Sequence, residues 1–184
     1  MSLKGLEQAI ANLESISKTA VPRASSQAIN RIATRAISRS TREVAKTTKV
    51  QRKLVNQRAR LKKATVRKPQ AVIKVNRGNL PAIKLGPASL RLSRRKKDKY
   101  GTRSILQVGR FRFPNAFIQQ LSNGRWHVLQ RTTAARYPLK VVSIPMAEPL
   151  TTAFKAQSKK LTDTDLPKEM AAALRNQLRL IITK

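Results

Sequence analysis

The chain of 184 residues carries 40 Lys and Arg against 8 Asp and Glu, a formal net charge of +32, and no cysteine. That composition excludes disulfides, thiolate chemistry and Cys-based zinc sites. A body this cationic repels itself unless something acidic neutralises part of it; nucleic acid is the first such partner class, and an acidic protein surface or anionic lipid the second.

Hydrophobic residues make up 40% and aromatics only 4%, so the core is expected to be Leu, Ile, Val and Ala. The length fits one domain: a helical basic part over 1–68, a sheet with a basic loop (93–104) over 69–144, and a helical part over 145–184. No apolar run approaches the length of a membrane span. Glu7 and Glu14 on a periodic pattern argue against a signal peptide. A soluble protein made in a cytoplasm, with no membrane partner, is expected.

In chain order, Leu3, Leu6, Ile10, Leu13 and Ile16 form one stripe of an amphipathic helix. Pro22 suits the first turn of a second helix. Ala28, Ile29, Ile32, Ala33, Ala36, Ile37 and Val44 give that helix a narrow stripe of small and branched residues. Its opposite face shows Arg31, Arg35, Arg39 and Arg42, three or four apart and therefore aligned. Val50, Leu54, Val55, Arg58 and Leu61 continue a helical period, which predicts a further helix over Lys49–Lys68, separated from the second near Thr47-Thr48. Lys49, Arg52, Lys53, Arg58, Arg60, Lys62 and Lys63 crowd its other faces.

Beyond Pro69 the pattern turns to strands. Ala71–Val75 and Ala82–Leu85 predict a pair joined by a turn at Asn76-Arg77-Gly78-Asn79. Leu90 and Leu92 suggest another strand, and Ser93–Arg103, with Arg94, Arg95, Lys96 and Lys97, an exposed loop. Strand character resumes around Gly109. Phe113–Arg131 predicts a β-hairpin closed by a type I′ turn at Asn123-Gly124. That register sets Leu121 opposite Trp126, Gln119 opposite Val128 and Phe117 opposite Gln130. It places Phe117, Leu121, Trp126 and Val128 on a core face, and Ile118, His127 and Leu129 on a second, half-apolar face that a helix or another subunit would cover. Tyr137–Ile144 is the last predicted strand. A short helix from Leu150 to about Gln157 follows, then an amphipathic helix carrying Leu166, Met170, Ala173, Leu174, Leu178 and Ile181. Asp163 and Asp165 are its N-cap candidates. Helices, then short strands, then helices predict an α+β fold with an antiparallel or mixed sheet.

Catalytic constellations are hard to assemble. His127 is the only histidine, and it sits inside a predicted strand. No G-x-S-x-G turn, P-loop or dinucleotide fingerprint occurs. No catalytic, cofactor-binding or metal-ligating residue is assigned, and neither an enzyme nor a small-molecule substrate is expected. The chemistry-bearing feature is charge: the row Arg31–Arg42, the dense Lys49–Lys68 segment and the loop Arg94–Lys99. Between Glu43 and Asp98 there is no acidic residue. These groups predict phosphate contact driven by counterion release, without base readout.

The ordered blocks LKGLEQAIANLESISKTAVP, AINRIATRAIS, KVQRKLVNQRARLKKATV, IKVNRGNLPAIKLG, AFIQQLSNGRWHVLQR, IPMAEPLTTAF and LPKEM together resemble the minor tail protein Z family, the tail completion proteins of lambda-like long-tailed phages. The resemblance implies a structural virion protein acting late in assembly at the head-proximal end of the tail, near the DNA, and present in the host cytoplasm during assembly. By fold-level analogy it also implies a homo-oligomeric ring of six copies, meeting other tail and neck proteins such as the tail terminator and tail tube. The basic residues would then face double-stranded DNA, and Ile118, His127, Leu129, Ala33 and Ala36 would be subunit-interface candidates. A free, sequence-independent nucleic-acid-binding protein is the alternative.

Overall fold

The computed structural model describes residues 3–92, 104–133, 135 and 137–182. The chain divides into two compact units, one comprising the chain up to Asn76 together with Pro149 onward, the other Arg77–Glu148. The fold class is α+β, and every strand pairing among the described residues is antiparallel.

In the first unit, α1 (Leu3–Ser15) passes through a π-helical turn (Ile16–Ala20) into α2 (Val21–Thr48) without a break. Pro22 lies in the first turn of α2, where its missing N–H removes no intrahelical bond. Lys49, left-handed at φ 57°, ends α2, close to where the sequence places the break. Where α2 meets α5 (Leu166–Ile182) the buried residues are small and let the helices approach closely. Ala24 and Ala28 of α2 pack on Ala173, with Leu166, Met170 and Leu174 alongside; the last four belong to α5. One turn on, Ile32 and Ala36 meet Leu161 of α4 (Ala147–Thr164), with Ile73 and Leu166 packed against them.

The helix predicted over Lys49–Lys68 is confined to α3 (Arg52–Asn56). Ala59–Lys62 is instead β1, paired antiparallel with β2 (Val72–Val75). Its side chains alternate between half-buried Ala59 and Leu61 and exposed Arg60 and Lys62. That is the period of a strand, and pairing with β2 overrode the helical spacing of Val55, Arg58 and Leu61. The predicted partner of β2 also fails. Ala82–Leu85 is a 3₁₀ turn, and Asn76 closes the first unit while Arg77 opens the second.

In the second unit, β3 (Leu80–Pro81) pairs with β10 (Ser143–Ile144). The strands β4 (Ala88–Leu92), β5 (Ser104–Val108) and β6 (Phe111–Pro114) form one sheet, and β7 (Ala116–Gln120), β8 (Trp126–Arg131) and β9 (Leu139–Val141) another. Gly109 opens the two-residue link from β5 to β6 at φ +58°, a conformation L-residues resist. A Cβ there would also lie 2.8 Å from the Leu85 carbonyl oxygen.

The hairpin β7–β8 exists, but one residue out of the predicted register. Gln120 pairs with Trp126, Ile118 with Val128 and Phe117 with Leu129. The Gly124 N–H donates to the Leu121 carbonyl and the Leu121 N–H to the Arg125 carbonyl, so the turn has three residues with Gly124 left-handed at φ +72°. This is a type I turn with a glycine bulge rather than type I′. A slip of one residue moves every cross-strand pair to the other face. Ile118 therefore shares a face with Val128, not with His127 and Leu129.

Candidate nucleic-acid interface

The β1–β2 hairpin has one apolar and one basic face. Inward go Ala59, Leu61, Ile73 and Val75, all half-buried; outward go Arg60, Lys62, Val72 and Lys74, all exposed. A two-stranded hairpin is marginal alone, and two features hold this one. Ile73 packs on the Ile32–Ala36–Leu161 cluster. Asn30 of α2 brackets the chain just past β1: its side-chain amide donates to the Ala64 carbonyl at 2.9 Å, and its oxygen accepts from the Ala64 N–H at 2.8 Å.

The segment between the strands adds exposed Lys63, Arg67 and Lys68. The Thr65 N–H donates to the Lys68 carbonyl at 2.9 Å, and the Lys68 N–H to Thr65 Oγ1 at 3.1 Å. These reciprocal bonds close a tight loop with Arg67 inside it. On the strands, Arg60 stands directly opposite Lys74, a like-charge pair that destabilises a sheet. A hollow of about 310 Å³ lies there, lined by Arg58, Arg60 and Lys74 among others. A second, of about 130 Å³, is lined by Lys62, Lys63 and Lys68 with Thr65, Gln70 and Val72. Burial lowers the pKa of Arg58, whose guanidinium donates to the Asn76 carbonyl at 3.2 Å; an arginine starts high enough to stay cationic. Among the described residues, no carboxylate pairs with Arg60, Lys62, Lys63, Arg67, Lys68 or Lys74.

The arginine row on α2 is different. Arg31 meets Glu169 at 3.2 Å, Arg35 bridges Glu169 and Asp165, and Arg39 reaches Asp165 at 3.5 Å. The Arg31 guanidinium, with Arg35 beside it, holds the Glu169 carboxyl below the usual carboxylate range against the opposing pull of burial. Three of the four arginines thus fasten α2 to the start of α5. Asp165, a predicted cap, has its carboxylate turned to Arg35 and Arg39. Arg42 is exposed beyond this network.

The remaining predicted residues scatter. Arg52 donates to Ser38 Oγ at 2.9 Å, while Lys49 and Lys53 are exposed. Arg94, Arg95, Lys96 and Lys97 lie outside the described residues. Ala33 and Ala36 are buried, as is Leu129 at 4% exposure, whereas Ile118 and His127 are half-buried. His127 Nδ1 is buried without a hydrogen-bond partner among the described residues, and no three His, Asp or Glu side chains there converge as metal ligands. Arg67 and Lys68 fall within the basic segment Lys49–Lys68 that the sequence marks for phosphate contact; Lys74 is the basic-face residue that lies outside it. The alternation of apolar and basic residues over Ala59–Lys62 was the signal that could have found the face.

The profile described as "Prophage minor tail protein Z (GPZ)" matches residues 3–184. The chain belongs to this family. It is 69% identical to the "Tail completion protein" of Escherichia phage N15 over 184 residues, with both chains covered fully. It is 58% identical to the "Tail completion protein Z" of Escherichia phage lambda over an alignment of 192 residues, again covering both chains. No solved structure matches.

Proposed function

We propose that this member of the minor tail protein Z family completes the phage tail as a structural, non-enzymatic part of the virion. It acts at the head-proximal end as a homo-oligomeric ring, six copies by analogy, beside the tail terminator and tail tube, with the β1–β2 hairpin turned to the DNA. The whole-length relationship to proteins called tail completion proteins supports the role. The observation that carries the DNA contact is the outer hairpin face, where Arg60 and Lys74 stand opposed with no carboxylate among the described residues to relieve them. Phosphates would supply that relief with no requirement on sequence.

Tails assembled without the protein, mixed with it and sedimented, test the role. Co-sedimentation with a rise in infectivity after addition of filled heads is expected. A protein that stays at the top of the gradient yet shifts bare DNA with a steep salt slope is a free nucleic-acid binder instead.

A further inference from the structure

Helix α1 holds Leu6, Ile10 and Leu13 at 57, 51 and 66% exposure, spaced by four and three so that they fall on one stripe. Glu7 and Glu14, seven apart and hence in line, border that stripe along one edge. They are the only acids before Glu43 in a chain of net charge +32. Glu14 meets Lys18 at 3.3 Å, but both side chains are well exposed, so the carboxylate is free to change partners.

A groove of about 370 Å³ with matching chemistry lies where α2, α3 and β1 meet. Ile37 and Leu61, both half-buried, form its apolar floor, and Arg52 and Lys53 supply its basic rim. Ser38 holds Arg52 in place through a hydrogen bond to its hydroxyl. The arm cannot reach the groove of its own chain. From Leu13 to Ile37 the helix is continuous, and at about 1.5 Å per residue the two stand about 35 Å apart along one rod.

We propose that α1 of one copy docks in this groove of a second copy, its aliphatic stripe on Ile37 and Leu61 and its glutamates against Arg52 and Lys53. The inference rests on the homo-oligomer reading above and supplies its contact. Donor and receptor are different patches of one surface, so the contact is head-to-tail and closes into a ring when the rotation allows.

Analytical ultracentrifugation of the full chain tests it with two variants. One is the arm variant Leu6→Ser, Ile10→Ser, Leu13→Ser; the other is the groove variant Arg52→Glu, Lys53→Glu. Lys53→Glu alone serves where the groove pair disturbs the circular dichroism spectrum. Wild type is expected to associate and each variant to be monomeric. An equimolar mixture of the two should give a dimer, because one intact arm then meets one intact groove. Adding Glu7→Lys and Glu14→Lys to the groove variant should restore association. A wild type that stays monomeric up to about 1 mM, beyond which an association is weaker than about 4 kcal/mol, overturns the proposal. So does an arm variant that associates normally, a groove variant that does so, or a mixture that stays monomeric. A monomeric wild type that still completes tails would sink the self-docking idea while leaving the role intact. A wild type that associates through α1 yet completes no tails would do the reverse.

Discussion

Replacing Arg60, Lys62 and Lys74 by Gln separates the hairpin from every other basic group. The outer face and its connecting loop offer six cations that no carboxylate pairs among the described residues: Arg60, Lys62, Lys63, Arg67, Lys68 and Lys74. If each neutralises one phosphate, the slope of log K against log salt is about −5 for wild type and roughly −2.7 for the triple variant. Between about 50 and 200 mM salt, wild-type affinity for a random duplex should then fall by about 10³ and the variant's by roughly 40-fold. Fluorescence anisotropy across a salt series measures both. The substitution also removes the Arg60–Lys74 opposition, so stability should hold or rise by a few tenths of a kcal/mol, up to about 1. Loss of DNA binding then has no unfolding explanation. The matched control is Arg31→Gln, Arg35→Gln, Arg39→Gln, which should leave the slope nearly unchanged while lowering stability, since those side chains face Asp165 and Glu169. A triple hairpin variant with the wild-type slope, or an α2 variant whose slope falls by about three, would refute the assignment.

Asn30→Ala removes both bonds to the buried Ala64 backbone. It should cost about 1–3 kcal/mol, read as a fall of roughly 2–12 °C in Tm. Glu169 gives an acid limb. Its pKa is lower folded than unfolded, so the unfolded chain binds more protons in between. The stabilisation is present above the unfolded value and lost as pH falls through the folded one. Urea unfolding from about pH 7 down to about pH 3 should show a shallower loss for Glu169→Gln than for wild type. Gly109→Ala forces a side chain into φ +58° and against the Leu85 carbonyl, and should lower stability by at least about 1–2 kcal/mol in the same assay.

The helical frame was legible because its signals are local. The stripes of α1, α2 and α5, Pro22 in the first turn of α2 and the loss of helix after Thr48 all follow from spacing and backbone chemistry within a turn or two. What failed was whatever depended on a distant partner. Ala71–Val75 was recognisable as a strand, but its mate is Ala59–Lys62 on its N-terminal side, not Ala82–Leu85 across an inviting Asn-Arg-Gly-Asn turn. The turn residues allow a reversal without requiring one, and the apolar surface of α2 decides which pairing buries Ile73. The β7–β8 register failed for a subtler reason. Asn123-Gly124 marked the right place, yet a two-residue and a three-residue turn use the same pair, and the difference of one residue exchanges faces.

The site was legible as a quantity before it was legible as a place. The acid-free stretch that opens after Glu43 announces an excess of cations, but only pairing in space decides which of them are left over. The row Arg31, Arg35, Arg39 looks like the best phosphate ladder in the sequence because its spacing aligns it. The same alignment matches Asp165 and Glu169, themselves four apart, one at the junction of α4 with α5 and the other in the first turn of α5. Glu169 lies 138 residues from Arg31, so nothing near the row announces its counter-charge. The hairpin cations have no such counterpart among the described residues, and their strand period sends Arg60, Lys62 and Lys74 to one face together. Alignment on a helix and alternation on a strand both gather charge. Here the strand leaves it unneutralised among the described residues, and that difference takes Arg31, Arg35 and Arg39 out of the expected DNA contact while keeping Arg60 and Lys62 and adding Lys74.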